Sequence, residues 1–240
     1  MDLTARSFRI KICGLSTPSS VEAALDAGAD MIGLVFHPRS PRFVTIEQAR
    51  ALSSLAAGRA GIVALVVDIE PARAVELVAA LAPHKPMLQL HGSETPEQVR
   101  AIRQATRRPV MKALGIATAA DLAAIAPYRD AADLILLDAK PPPDAAYPGG
   151  HGRPFDWRLL AGLDPAFPFM LSGGLDPANV AEAIGIARPA GVDVSSGVES
   201  APGVKDPARI AAFVAAARKA ADALDDRAQD HHVSQKALRA

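Results

Sequence analysis

The chain has 240 residues, half of them hydrophobic, with 26 lysines and arginines set against 26 aspartates and glutamates. That balance, with no basic run interleaved with aromatics, argues against a nucleic-acid partner, and no apolar stretch reaches the roughly 18 residues a membrane span needs. A single cysteine excludes an intrachain disulfide and residues 1–9 carry no apolar signal segment, so a soluble cytoplasmic protein with a small-molecule partner, monomeric or a weak homodimer, is expected.

Short aliphatic runs alternate with alanine-rich stretches of helical length. In chain order the pairs are a strand at Arg9–Cys13 with a helix at Ser19–Ala27, Met31–Phe36 with Ile46–Ala57, Gly61–Val67 with Pro71–Ala82, and Met87–Leu90 with Pro96–Ala105. They continue with Val110–Leu114 and Thr118–Ala126, Leu134–Leu137 and Asp156–Ala161, Phe169–Leu171 and Pro177–Ile184, and finally Val192–Val194 and Pro207–Ala223. Helix starts are marked by a capping side chain before proline, as in Thr17-Pro18, Thr95-Pro96, Asp176-Pro177 and Asp206-Pro207. Gly28 and Gly191 fit tight helix-to-strand returns.

Strict alternation with continuously apolar strands predicts a parallel sheet covered by helices, and eight units predict closure into a single-domain (β/α)8 TIM barrel. A doubly wound open sheet is the alternative, since periodicity does not show closure. The domain expected is 9–221, preceded by a short extension at 1–8 and followed by a polar tail at 222–240 that frays from the last helix.

In a barrel the loops after the strands build the active site. Polar residues collect there: Lys11 and Cys13, the His37–Arg42 loop, Asp68, Gln89, His91, Lys112, Asp138, Lys140, Ser172-Gly173-Gly174 and Ser195-Ser196-Gly197. A thiol and a carboxyl at two strand ends are candidates for base and acid in proton transfer. The serine and glycine turns after strands seven and eight stand where many barrels bind phosphate through backbone N–H groups. The blander alternatives are a buried small hydrophobe for Cys13, a structural carboxylate for Asp138, barrel-layer residues for Lys11 and Gln89, a satisfied core histidine for His91, and a solvated loop residue for Arg42. Asp193 and Glu199 are read as scaffold, because either would repel an anion held in that loop. The histidines lack ligand spacing, so no metal site is expected.

The segments Lys11-Ile12-Cys13-Gly14, Phe36-His37-Pro38-Arg39-Ser40-Pro41-Arg42, Leu88-Gln89-Leu90-His91-Gly92, Leu137-Asp138, Gly149-Gly150-His151-Gly152, Ser172-Gly173-Gly174-Leu175 and Asp193 to Glu199 occur in this order. As an ordered set, from about residue 9 to about 220, they resemble the phosphoribosylanthranilate isomerase family of tryptophan biosynthesis. His151, Arg153 and Pro154 depart from the threonine and lysine many members carry in that loop.

The resemblance implies an Amadori rearrangement of N-(5-phosphoribosyl)anthranilate to 1-(2-carboxyphenylamino)-1-deoxyribulose 5-phosphate, without metal or organic cofactor. By analogy Asp138 is the general acid, Cys13 the general base, and Arg42 the partner of the anthranilate carboxylate. Gly173, Gly174, Ser195, Ser196 and Gly197 bind phosphate, with Lys11, Gln89 and His91 in support. Competing expectations are another phosphosugar barrel or a phosphoribosyl-binding module without turnover. The imidazole-pathway aminoaldose isomerase would want an aspartate where Cys13 stands, and indole-glycerol-phosphate synthase a longer N-terminal extension.

Overall fold

The computed structural model describes residues 8–140, 154–164 and 167–237. Eight parallel strands close into a barrel in sequence order: β1 (Arg9–Cys13), β2 (Met31–Val35), β3 (Gly61–Val66), β4 (Met87–Leu90), β5 (Val110–Ile116), β6 (Leu134–Ala139), β7 (Phe169–Leu171) and β8 (Gly191–Val194). Closure is made by β8 against β1, with Lys11 opposite Asp193. The open-sheet alternative is therefore excluded. A hairpin of β9 (Glu199–Ala201) and β10 (Val204–Lys205) follows the barrel's last strand.

The outer layer holds α1 (Pro18–Asp26), α2 (Ile46–Ala56), α3 (Pro71–Ala80), α4 (Pro96–Thr106), α5 (Val180–Ala187) and α6 (Pro207–Ala237). Thr17, Thr45 and Thr95 each accept a hydrogen bond from the third helical N–H, while the side chain of that third residue accepts one from the cap's own N–H.

The two helices expected after β5 and β6 are 3₁₀ segments instead, at Ala119–Tyr128 and Trp157–Gly162. In the first, Asp121 draws the N–H groups of Ala117 and Thr118 to its carboxylate, and Pro127 has no N–H to continue a ladder. The helix expected from Pro177 starts three residues later. Asp176 accepts from the N–H groups of Ala178 and Asn179, and Asn179 accepts in return from Asp176, so a side-chain turn occupies the first positions. Gly28 does make a left-handed return, with φ +86°, but Gly191 lies inside β8, where a side chain would collide with the carbonyl of Arg9. The last helix does not stop near residue 223 but runs to Ala237.

Alternation along the strands sorts side chains between two cores. Ile10, Ile12, Leu88, Leu90, Ile135, Leu137, Val192 and Val194 face the helices. Inside the barrel Met31, Val63, Met87, Met111, Ala113, Leu134, Leu136 and Met170 form an apolar plug. Nearer the strand ends, Lys11, Cys13, Gln89, Asp138 and Asp193 share the inward parity and form a polar layer above it, with the apolar Val35 and Leu65 packed against Cys13.

Candidate active site

Cys13 ends β1 with its side chain inward, between Lys11 two residues back and Gly33 beside it on β2. Lys11 is fully buried and its Nζ donates to Oδ1 of Asp193 at 2.9 Å. Burial pushes the Cys13 thiol up, against the attraction of Lys11, and Asp193 adds to the rise. Burial acts on Lys11 in the opposite direction, but Asp193 and Cys13 outweigh it and hold the ammonium above its ordinary value. This end of the barrel is therefore a thiol beside a lysine whose ammonium form its neighbours favour. Gly33 is the space that admits both: a Cβ there would lie 2.7 Å from Sγ of Cys13 and 3.1 Å from Nζ of Lys11.

Asp138 belongs to β6 and is 5 % exposed, its carboxyl set between two donors. Oδ1 accepts from the Ala139 N–H at 2.8 Å, and Oδ2 lies 3.2 Å from Nε2 of His91, which reaches across from the end of β4. Behind the imidazole, Nε2 of Gln89 is 3.0 Å from Nδ1. Gln89, His91 and Asp138, taken from two separate sequence segments, thus form one connected row.

Between β6 and β1 the barrel order places β7 and β8, so the loops carrying Gly173, Gly174, Ser195, Ser196 and Gly197 lie on the arc of rim between Asp138 and Cys13. Gly173 and Gly174 have φ of +87° and +66°, which disfavours any other residue. A side chain at Gly173 would also strike Ala139 and Asp138, and one at Gly197 would strike the Leu175 carbonyl, so the two loops and the end of β6 are closely packed. The hydroxyl of Ser195, expected at the phosphate, has protein partners on both sides. It donates to the Cys13 carbonyl at 3.1 Å and receives Lys205, which makes it a tie between β8 and β1.

Arg42 is no solvated loop residue: it is 4 % exposed, and its Nε and Nη2 donate to the two oxygens of Glu199 at 2.7 and 2.8 Å. Lys205 donates to the same carboxylate at 2.6 Å and to the Ser195 carbonyl at 2.9 Å. Burial works against the ionised form of Glu199, but Arg42 and Lys205 hold its carboxyl below the ordinary range. Two cations thus share the Glu199 carboxylate, while burial pulls Lys205 below its ordinary value.

Sequence reading overlooked Lys205, which sits in a two-residue strand with no apolar pattern to mark it; its one signal is a lysine in a chain poor in lysine. Lys112, counted among the rim residues, proves to point the other way. Its neighbours Met111 and Ala113 face the barrel interior, and its Nζ pairs with Glu94 at 2.7 Å on the outer side. Glu94 also receives the N–H groups of Asp68 and Gly92, so this ion pair braces the loop that carries His91. The segment from Gly149 to Arg153, including His151, lies outside the described residues, while Pro154 lies just within them. Among the described residues no group of three or more histidines, cysteines or carboxylates could hold a metal ion, and no helix is long and apolar enough to cross a membrane.

A family model described as N-(5'phosphoribosyl)anthranilate (PRA) isomerase matches residues 10–216. The chain belongs to this family. A relative from Azorhizobium caulinodans, named N-(5'-phosphoribosyl)anthranilate isomerase, is 57% identical over 214 residues, covering 89% of this chain and 93% of that one. The crystal structure of phosphoribosyl anthranilate isomerase from Thermotoga maritima superposes with a TM-score of 0.80 at 37% identity, over 88% of this chain and 99% of the other. A further structure of the family, in complex with reduced 1-(o-carboxyphenylamino)-1-deoxyribulose 5-phosphate, gives a TM-score of 0.77 at 35% identity over 88% and 99% of the two chains. Family membership and the closed barrel thus rest on separate comparisons, one of sequence and one of shape.

Proposed function

We propose that this chain isomerises N-(5-phosphoribosyl)anthranilate to 1-(2-carboxyphenylamino)-1-deoxyribulose 5-phosphate in tryptophan biosynthesis, with Asp138 as general acid and Cys13 as general base. The observation that carries this reading is the arc of rim itself: a buried carboxyl on β6, a buried thiol on β1, and two glycine-bearing loops on the strands between them. A phosphosugar anchored at those loops has an acid to one side of its ring and a base to the other.

The chemistry moves a hydrogen from the sugar C2 to C1 and is redox-neutral overall, so an acid and a base suffice. Asp138 gives its proton to the furanose ring oxygen as the C1–O bond breaks and the nitrogen lone pair forms the C=N bond, leaving a protonated imine at C1. Cys13, as thiolate, then takes the C2 proton and the electron pair moves toward C1. The resulting enolamine returns to the ketone by gaining a proton at C1 and losing that of the C2 hydroxyl. Lys11 stabilises the thiolate that burial disfavours. The phosphate is assigned to the turns at Gly173-Gly174 and Ser195-Ser196-Gly197, and the anthranilate carboxylate to Arg42, whose bidentate pair with Glu199 fixes the plane of the guanidinium.

The test is incubation of the purified protein, under exclusion of air, with freshly prepared phosphoribosylanthranilate, following loss of substrate fluorescence and appearance of the ketose. Enzyme-dependent conversion supports the reading, and substrate loss at only the uncatalysed rate rejects it.

A further inference from the structure

Once Asp138 has given up its proton its carboxylate offers only acceptors, so the imidazole nitrogen that faces it can stabilise it only by carrying the hydrogen. Oδ2 of Asp138 faces Nε2 of His91 at 3.2 Å, which leaves Nδ1 as the acceptor, and the atom set against Nδ1 is the amide nitrogen of Gln89, a donor, at 3.0 Å. Gln89 is fully buried, and its other amide atom, Oε1, has no hydrogen-bond partner. Turning the amide over would bring Oε1 against Nδ1, where it could be satisfied only by a hydrogen on Nδ1, and the neutral ring would then have none on Nε2. The amide therefore keeps a buried acceptor unmet in the orientation that arms His91 toward Asp138.

We propose that His91, held in its Nε2–H tautomer by Gln89, is a positioning residue that stabilises the carboxylate formed when Asp138 gives up its proton. The inference rests on the reading of Asp138 as the general acid. Before transfer the carboxyl is neutral and the His91 and Ala139 N–H groups gain little from it; after transfer both meet a full negative charge. A contact that strengthens as the charge develops lowers the barrier without tightening substrate binding. Rigid support comes from below, because Gln89 and His91 project inward from the same strand and the Glu94–Lys112 pair braces the loop that follows.

The experiment compares His91→Leu, His91→Gln and Gln89→Leu with wild type in steady-state kinetics, and reads the His91 ring directly by nitrogen NMR of histidine-labelled wild type and Gln89→Leu. His91→Leu should lower kcat by about 10- to 100-fold, the range of a hydrogen bond to a charged group, with KM changed less than about threefold. His91→Gln, which can place a neutral N–H near Oδ2, should recover most of the loss. Wild type should show the Nε2–H tautomer, and Gln89→Leu a mixture. An Nδ1–H ring in wild type, or equal kcat for the Leu and Gln variants, overturns the proposal. The NMR reading does not depend on turnover, so a wild type that fails to isomerise the substrate would reject the proposed function while His91 is still judged by its tautomer.

Discussion

Gly33 on β2 stands beside Cys13 on β1, and a Cβ placed on it would lie 2.7 Å from the thiol sulfur and 3.0 Å from the Cys13 Cα. The inward-facing thiol and ammonium thus occupy volume that every other amino acid would claim. Gly33→Ala should displace the sulfur, lowering kcat by at least about tenfold at a stability cost of roughly 1–3 kcal/mol, as for overpacking elsewhere. Thermal unfolding and kcat measured together check this; unchanged kcat would show that the thiol's position is unimportant.

Lys11 governs the charge of the same thiol. Burial raises the Cys13 value, so the thiolate fraction, and with it kcat, should climb as pH rises through the alkaline range. The fold favours the neutral thiol: the associated stability is fully present below the unfolded value of roughly 8.5 and is lost as pH climbs through the higher folded value. Lys11→Met should move the alkylation profile of Cys13 further to the alkaline side, whereas Lys11→Arg should move it much less. Lys11→Met also leaves Asp193 buried and unpaired, with a loss of about 3–5 kcal/mol. An alkylation profile unmoved by Lys11→Met would remove the lysine from the thiol's electrostatics.

The two ends of the ligand separate by mutation. Gly174→Asp sets a negative charge, and a side chain at φ +66°, where the phosphate is assigned, so KM should rise steeply. Arg42→Ala should weaken recognition of the anthranilate carboxylate and shrink discrimination against an aniline analogue that lacks it. It also breaks the buried pair with Glu199, so Tm should fall. Equal weakening toward both compounds would contradict the assignment of Arg42.

Asp138→Asn keeps the shape but offers no carboxylic proton. Ring opening should slow by at least ~10²-fold, the usual contribution of a positioned acid. Single-turnover kinetics with the cyclic substrate check it, and near-normal rates would leave the acid elsewhere.

The barrel was legible because its strands are short, apolar and separated by stretches of helical length, and Lys11, Cys13, Gln89 and Asp138 could be placed at strand ends from those runs alone. Parity decides more than position: Lys112 also lies near a strand end yet faces outward, because Met111 and Ala113 take the interior. The 3₁₀ segment at Ala119–Tyr128 was misread as a helix because alanine content signals propensity, while the competing bonds of Asp121 and the missing N–H of Pro127 act locally. Pairings between distant residues left no trace in the pattern. Arg42 and Glu199 are 157 residues apart, and nothing in the local sequence of either announces the other.

The most direct test of Cys13 as the base is kcat of Cys13→Ser, measured beside binding of a reduced product analogue. A hydroxyl fills nearly the same space but is a far weaker base at neutral pH, so kcat should fall by at least ~10²-fold while analogue affinity stays within about threefold. A serine variant that keeps most of the wild-type kcat would remove Cys13 from the mechanism.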